Sequence, residues 1–458
     1  MPDTGDTAWM LASSALVLLM TPGLAFFYGG MVRSKSVLNM MMMSISSLGI
    51  VGVLWVLYGY SMAFGNDVGA GLLGNPAQYA GLKGLFGGTY LEAAGGPPVE
   101  VPLVGTIPAT VFVAFQGMFA IITVALISGA AADRLRFGPW LVFAGLWATI
   151  VYFPVAHWVF SFDGVTAEKG GWIANTLKAV DFAGGTAVHI NAGAAGLALC
   201  LVLGKRRGWP KEPMRPHNLT LVMLGAGLLW FGWFGFNAGS AVGSNAVAGI
   251  TFVNTLVATS AAMLAWLLVE RFRDGKPTSL GAASGIVAGL VAITPSCSSV
   301  SPLGAIAVGA IAGVVCALAV GLKYRLGFDD SLDVVGVHMI GGLAGTLLVG
   351  FFATSSAPAG VDGLFYGGGL DQLWRQAVGG FAVMIYSFVL SLVIAFIVKA
   401  IFGLRATAED EVQGLDETEH AETGYDLAGL RGGGGLGTPR PDAATVSAAV
   451  PAGAGKES

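Results

Sequence analysis

Two segments of the sequence place an aspartate and a histidine inside runs of small and apolar residues. They are DFAGGTAVHINAG, residues 181–193, and DVVGVHMIGGLAG, residues 333–345. From the valine before each histidine, both read V-H-x-x-[AG]-G-x-A-G. Ionisable groups are costly in apolar surroundings, and within membranes they are candidates for function. The recurrence indicates two copies of one structural unit. The predicted fold depends on where the two copies lie among the membrane spans.

The composition is that of a membrane protein. Of 458 residues, 55% are hydrophobic and 11% are charged, whereas soluble domains carry about 25% charged residues. The 70 glycines are roughly twice the average share, and small residues let transmembrane helices approach closely. Cys200, Cys297 and Cys316 stand alone in apolar runs and are interpreted as packing residues.

Eleven apolar segments approach the length of about 20 residues that a transmembrane helix needs. They lie at residues 8–30, 38–64, 104–131, 138–160, 184–204, 217–238, 245–269, 279–297, 301–322, 334–354 and 376–404. TPSCSSVSP interrupts the eighth segment early. Residues 8–20 could instead belong to a signal peptide, but the acidic MPDTGDT before them favours a retained first helix.

Lysine and arginine concentrate in alternate loops. Sixteen of the 23 lie in one set of loops, four in the other set and three in the C-terminal tail. Positively charged loops remain in the cytoplasm. The sequence therefore predicts a multi-pass protein of the cell membrane, with residues 1–404 as its transmembrane domain, an extracellular N-terminus and a cytoplasmic C-terminus.

The two related segments fall on the fifth and tenth predicted spans, so the copies cross the membrane in opposite directions. This is the arrangement of an inverted-topology repeat with a site near the midplane. We expect an all-α integral membrane protein with a five-helix inverted repeat and a final long helix. Asp181 and Asp333 are expected to cap helix N-termini, with His189 about 12 Å into its helix and His338 less deep.

Two buried histidines in equivalent positions would line a path with polar edges and no net charge, because burial favours neutral imidazole. Such a path suits a small neutral polar solute or a proton relay. It suits a bare metal ion poorly because no carboxylate or thiolate cluster accompanies the histidines. Neither a metal nor another cofactor is predicted.

Aromatic residues on the third and sixth spans are candidates for holding a cation. FQGMFA, residues 115–120, has two phenylalanines four residues apart, and WFGWFGFNAGS, residues 230–240, ends in a serine. A cation over aromatic faces gains about 0.5–2 kcal/mol per contact. An aromatic belt at the membrane interface is the alternative, although the glycine-rich second motif resembles a belt less.

Together these motifs resemble the ammonium transporter (Amt/Mep/Rh) family, in its bacterial Amt type. The resemblance rests on DFAGGTAVHINAG, FQGMFA, WFGWFGFNAGS, TPGLAFFYGGMVR and GLDETEHAETGYD and extends over residues 8–427. It implies a homotrimer in which each subunit conducts ammonium or ammonia through its own pore of eleven helices. It also implies that His189 and His338 lie in the middle of that hydrophobic pore.

The resemblance further implies an outer site that recruits ammonium. The family commonly has a tryptophan three residues after the histidine of PVAH, where this sequence has a phenylalanine, and nearby tryptophans could substitute. The recruitment candidates are Phe119, Phe160, Ser240, Asp181, Trp158 and Trp172. A stacked phenylalanine gate below the site is matched by Phe115 and Phe236. With the neighbouring Phe119 and Trp233 added to this pair, the gate candidates are Phe115, Phe119, Phe236 and Trp233.

The expected pore would select ammonium over potassium by removing a proton from ammonium. Ammonium is close to potassium in charge and size, but only ammonium can lose a proton. An apolar pore penalises any bare cation, and desolvation favours neutral ammonia. We expect ammonium to be held outside, and ammonia to pass the two histidines.

The acidic residues 405–429 are predicted to be a cytoplasmic regulatory tail, with a solvated linker as the alternative. The resemblance implies that the tail packs on the cytoplasmic face and couples to a PII-type protein. Residues 430–458 are low in complexity and are predicted to be disordered.

Three other functions compete with transport of ammonium. An ammonium sensor would signal through a PII-type partner. A membrane enzyme lacks support because the sequence has no nucleophile–base pair or metal cluster. Transport of carbon dioxide, as proposed for Rh-type relatives, is disfavoured by the bacterial-type motifs. No nucleic-acid partner is expected.

Overall fold

The computed structural model describes residues 2–86, 101–212 and 214–425, and those up to Gly424 form one compact unit. Within this part of the chain, the bundle consists of eleven apolar helices: α1 Thr4–Met31, α2 Ser34–Phe64, α3 Ala109–Ala131, α4 Phe137–Phe160, α5 Gly185–Leu203, α6 Leu219–Gly239, α7 Ala246–Arg273, α8 Ser279–Ile293, α9 Pro302–Leu326, α10 Val335–Phe352 and α11 Asp371–Phe402. A hairpin of β1 Leu103–Val104 and β2 Ile107–Pro108 precedes α3. The short helices α12 Ala408–Gln413 and α13 Leu415–His420 follow α11.

Ten of these helices are long and apolar enough to cross a membrane. The exception is α8, whose 15 residues span about 22 Å against a hydrocarbon core of about 30 Å. The sequence placed its end at residue 297, but the helix stops at Ile293. The chain then turns, and the Asn254 carboxamide of α7 donates to the carbonyls of Cys297 and Val300. This buried anchor satisfies backbone groups that a longer helix would have paired internally.

The helices α5 and α10 cross in close contact at the centre of the bundle. A β-carbon at Gly193 of α5 would lie 2.4 Å from the backbone nitrogen of Met339, and one at Gly342 of α10 would lie 3.0 Å from the β-carbon of His189. These glycines occupy the same position in the two related segments. The shared pattern V-H-x-x-[AG]-G therefore serves the close approach of two backbones beside the histidines.

The outside of the bundle is apolar. Leu264 of α7 and both Phe396 and Ile401 of α11 are more than half exposed. Large exposed apolar side chains along long helices are costly in water and favourable in lipid. With ten helices of spanning length among the described residues, the chain is a multi-pass membrane protein.

The helices α12 and α13 are docked on one end of the bundle. The carboxylate of Asp416 accepts from the backbone N–H of Asn39 at 2.8 Å, and the side chain of Asn39 contacts His420 at 3.0 Å. Leu415 is fully buried. The predicted tail thus packs against the bundle as far as the structure describes it, whereas residues 426–429 and the predicted disordered segment 430–458 lie outside the described residues.

Candidate functional site

His189 and His338 lie side by side where α5 and α10 cross. Their Nδ1 atoms are 3.3 Å apart and their ring centroids 5.4 Å apart. Each belongs to a π-helical turn, Gly185–Ile190 or Val335–Met339, a distortion that is frequent at functional sites. If one neutral imidazole donates from Nδ1, the other must accept at Nδ1, so the two rings are opposite tautomers. The pair then offers one Nε2 donor and one Nε2 acceptor.

An aspartate eight residues before each histidine fixes the start of its helix. The carboxylate of Asp181 accepts from the backbone N–H groups of Gly184, Gly185 and Thr186 at 2.6–2.9 Å. That of Asp330 accepts from Val334 and Val335 at 2.7–3.1 Å.

The prediction that Asp333 caps the second helix is therefore wrong. The carboxylate of Asp333 instead pairs with Lys323 at 2.7 Å. Because Asp330 stands as far before His338 as Asp181 does before His189, the two histidines are equally deep relative to their caps. The expectation of a shallower His338 is therefore also wrong, because it measures depth from Asp333 and not from Asp330.

A tryptophan holds one face of His189. The Trp233 ring is stacked on His189 at 5.3 Å between centroids and 17° between planes. Its indole N–H donates to the Thr294 hydroxyl at 2.9 Å, and this hydroxyl donates to the side-chain Oδ1 of Asn237 at 3.3 Å. A chain of buried hydrogen bonds therefore sets the plane of the ring against the histidine.

The space beside the histidines is small and apolar. A cavity of about 10 Å³ is bounded by Phe27, Trp233, Phe236, both histidines and other apolar side chains. This is roughly the space that one water molecule needs. The cavity can therefore hold a molecule of the size of water or ammonia and has no room for a hydration shell.

Two stacked phenylalanines lie outward of this cavity. The rings of Phe119 and Phe236 are 4.2 Å apart between centroids, at 24°. The gate candidate Phe115 is not part of the stack: it meets Phe119 edge-on at 4.9 Å and is fully buried. The resemblance suggested a stack of Phe115 with Phe236, and the structure instead gives Phe119 that position.

An outer cavity of about 270 Å³ opens beyond the stack. Its lining residues are Val104, Gly105, Thr106, Phe112, Gln116, Phe119, Phe160, Phe162, Val165, Thr166, Phe182, Ser240, Ala241 and Val242. None of them is charged. The Ser240 hydroxyl donates to the Phe236 carbonyl at 2.8 Å, which leaves its lone pairs available to accept a hydrogen bond.

The recruitment candidates divide by position. Phe119, Phe160 and Ser240 line the outer cavity, whereas Asp181 lies behind it and uses its carboxylate for the helix cap. Trp158 and Trp172 do not line it and cannot supply the missing tryptophan wall. The indole N–H of Trp158 donates to the Leu72 carbonyl at 2.8 Å, and its ring packs against Trp172.

A buried ionic network lies near the other end of the bundle. Arg206 contacts Asp329 at 2.8 Å and Asp133 at 3.2 Å, and Arg134 is completely buried beside them. Burial by itself would raise the pKa of Asp329, but the hydrogen bonds and charge of Arg206 outweigh it, and the pKa is lowered. Burial raises the pKa of Asp330 to about 6 although Lys323 opposes this.

Sequence reasoning missed three residues of the site: Gln116, Asp330 and Thr294. The spacing of eight from Asp181 to His189 could have identified Asp330, because the same spacing separates Asp330 from His338. No pattern indicates Gln116. Thr294 belongs to TPSCSSVSP, which in the sequence indicates only an interruption of the eighth span.

Comparisons with known proteins agree over almost the whole chain. Residues 8–425 match the model of the Ammonium Transporter Family. An "Ammonium transporter" of Mycobacterium tuberculosis (strain H37Rv) is 71% identical over 93% of this chain and 91% of the relative. One of Bacillus subtilis (strain 168) is 48% identical over 92% and 98%.

Solved structures of similar proteins share the architecture. Mep2 of Candida albicans superposes with a TM-score of 0.78 at 34% identity, covering 89% of this chain and 88% of that chain. A structure described as "Sensor Amt Protein" superposes with a TM-score of 0.81 at 28% identity, covering 91% and 98%.

Proposed function

This chain belongs to the ammonium transporter family and transports ammonium, and on that premise we propose the route the substrate takes. Ammonium is held in the outer cavity by Phe119, Phe160 and Ser240. It loses a proton there, and ammonia passes the stacked rings of Phe119 and Phe236. Ammonia then moves along His189 and His338 to the other side.

The size and polarity of the inner cavity carry this proposal. A space for about one water, bounded by ring faces and aliphatic groups, offers no compensation for a bare cation, whose desolvation costs many kcal/mol. Neutral ammonia has the size of water and can both donate to and accept from imidazole nitrogens. Since potassium has no neutral form, the same passage excludes it.

The opposite tautomers of the two histidines suit a neutral solute. One Nε2 offers a hydrogen and the other a lone pair, so ammonia can exchange hydrogen bonds along the pair without an ion being formed. Asp181 supports the route as the cap of α5, holding His189 at a fixed depth. The proton is left outside or carried separately.

The membrane topology is part of the proposal. We infer eleven crossings, with the short α8 completing its crossing through the buried turn after Ile293. Residues 1–404 form the transmembrane domain. The N-terminus is extracellular and the C-terminus cytoplasmic, in keeping with the alternation of basic loops.

An inverted repeat of α1–α5 and α6–α10, with α11 outside it, is supported by equivalent features. These are the aspartate caps at the same distance from each histidine, the π-helical turns at both histidines and the paired glycines Gly193 and Gly342. Such repeats place substrate sites near the midplane where the halves meet.

The assembly and regulation follow the family resemblance. We infer a homotrimer with one pore in each subunit, and a tail of residues 405–429 that regulates transport through a PII-type protein. The docking of α12 and α13 on the bundle supports a tail whose conformation affects the transmembrane domain. Signalling as a sensor remains the second candidate, because one similar structure is described as a sensor; it predicts binding without net flux.

A double variant, His189→Ala with His338→Ala, tests the route in proteoliposomes. We expect ammonium-driven flux to fall at least tenfold or its selectivity over potassium to be lost, because the neutral polar edge of the passage is removed. Unchanged flux with unchanged selectivity would refute a role for the histidine pair. No flux in the wild type, with ammonium still bound, would favour the sensor.

A further inference from the structure

The outer cavity is much larger than the ion that it is proposed to hold. Its volume of about 270 Å³ is several times the roughly 30 Å³ share of one water molecule, which ammonium resembles in size. It approaches the lower end, about 300 Å³, of pockets that bind small organic ligands. A single ammonium ion therefore leaves most of the cavity unfilled.

The walls of the cavity suit an organic cation. Five phenylalanine side chains line it: Phe112, Phe119, Phe160, Phe162 and Phe182. The rings of Phe119 and Phe160 are 6.4 Å apart and nearly perpendicular, at 79°, so they form two walls of a corner. Aromatic rings that surround a quaternary nitrogen are a known mode of recognising methylated ammonium groups.

The polar groups of the cavity distinguish two kinds of cation. Gln116 is 8% exposed, lines the cavity, and makes no side-chain hydrogen bond with the described residues. Its carboxamide oxygen and the Ser240 hydroxyl are acceptors that an ammonium N–H can use. A quaternary cation has no N–H, so its binding depends on the rings and not on these oxygens.

The inner passage separates binding from transport. A quaternary cation cannot lose a proton, and the cavity of about 10 Å³ beside the histidines has no room for it. From these features we infer that quaternary ammonium cations bind in the outer cavity against its phenylalanine rings and act there as competitive blockers that are not transported. This inference rests on the proposed role of the cavity in holding ammonium.

Tetramethylammonium is the probe for this inference. Ammonium-driven flux is measured in proteoliposomes containing the full chain, with the probe added outside at several concentrations, and binding of the probe is measured by calorimetry. We expect the apparent KM for ammonium to rise with the probe concentration while the maximal rate stays constant. The probe alone should give no current.

Two substitutions separate the contributions of the rings and the oxygens. Phe160→Leu keeps an apolar side chain but removes one ring, and should weaken inhibition by tetramethylammonium about 2- to 30-fold. Gln116→Leu should raise the KM for ammonium at least twofold and leave inhibition by the probe unchanged within about twofold. Val68→Ala, at an exposed position of the outer loop, is the matched control and should change neither constant.

Different experimental outcomes would overturn this inference and the proposed role of the cavity in holding ammonium. If tetramethylammonium neither binds nor inhibits while Gln116→Leu and Ser240→Ala still raise the KM for ammonium, the inference is overturned and the recruitment site stands. If those two variants leave the KM unchanged, the cavity does not hold ammonium and the inference loses its basis. A current carried by tetramethylammonium would also overturn the inference.

Discussion

The Nδ1 atoms of His189 and His338 are 3.3 Å apart at the crossing of α5 and α10. This distance depends on two glycines that occupy equivalent positions in the related segments. Gly193 faces the backbone of Met339, and Gly342 faces His189 itself. The geometry of the imidazole pair is therefore set by backbone approach as well as by the histidines.

Gly193→Ala should disrupt transport. The added methyl group would lie 2.4 Å from the backbone nitrogen of Met339, so α10 must shift at a cost of about 1–3 kcal/mol. We expect ammonium flux to fall at least tenfold. Gly249→Ala on α7, where a β-carbon meets nothing within 4 Å, is the control. Equal flux in the two variants would show that the close crossing is dispensable.

Thr294→Val should impair transport without touching a pore residue directly. The substitution leaves the buried indole N–H of Trp233 without an acceptor, which costs about 1–3 kcal/mol and frees the ring that is stacked on His189. We expect a severalfold lower ammonium flux with the KM nearly unchanged. Thr259→Val serves as the control, because the Thr259 hydroxyl bonds only within its own helix, to Thr255. A full rate in Thr294→Val would mean that Trp233 holds its place without this bond.

Asp329→Asn should destabilise the protein in a pH-dependent way. The buried guanidinium of Arg206 would lose Asp329, the closer of its two carboxylate partners, and would keep only Asp133. Breaking a buried pair costs up to about 3–5 kcal/mol. Because the pKa of Asp329 is lowered below its ordinary value of 3.8, the carboxylate stabilises the fold above that pH. This contribution is lost as the pH falls through the still lower pKa of the folded state.

Thermal unfolding in detergent measures this effect. The difference in Tm between wild type and Asp329→Asn should be largest near pH 7 and should shrink below about pH 3.8. Asp274→Asn removes a solvent-exposed pair with Arg273 and should leave the Tm nearly unchanged at every pH, because exposed ion pairs contribute little to stability. A difference that stays constant down to acidic pH would contradict the assignment.

Glu411→Gln should loosen the tail. Glu411 is 2% exposed, and its carboxylate accepts from the Arg405 side chain at 2.8 Å and from the backbone N–H of Arg207 at 3.0 Å. We expect faster hydrogen exchange across α12 and α13, together with an altered transport rate. The exposed Glu422→Gln is the control. Exchange that is the same in both variants would argue against docking through Glu411.

The helices could be predicted from the sequence because membrane spans are long apolar runs. Each predicted segment contains an apolar helix, and ten of these helices in the described residues are long enough to cross a membrane. The histidines of the two related segments lie side by side. The end of α8 was predicted four residues too late. The turn after Ile293 is held by Asn254, which is distant in sequence. The local sequence pattern therefore could not predict where α8 ends.

The lining of the outer cavity was harder to predict. Helices that are apolar on every side give no periodic signal of which face meets which neighbour. Sequence motifs therefore identified Phe119 and Ser240 but could not separate Phe160, which lines the cavity, from Trp158, two residues earlier, which faces away. Gln116 could not be predicted as part of the site, because the role of a single polar residue on an apolar helix depends on neighbours that the sequence does not identify.

The most direct test of selection by deprotonation compares ammonium and potassium pulses on wild-type proteoliposomes, with the membrane current and the internal pH recorded together. The proposed route predicts a response in current, pH or both to ammonium and none to potassium at tenfold higher concentration. A potassium current comparable to the ammonium current would show that bare cations cross the passage and would contradict it.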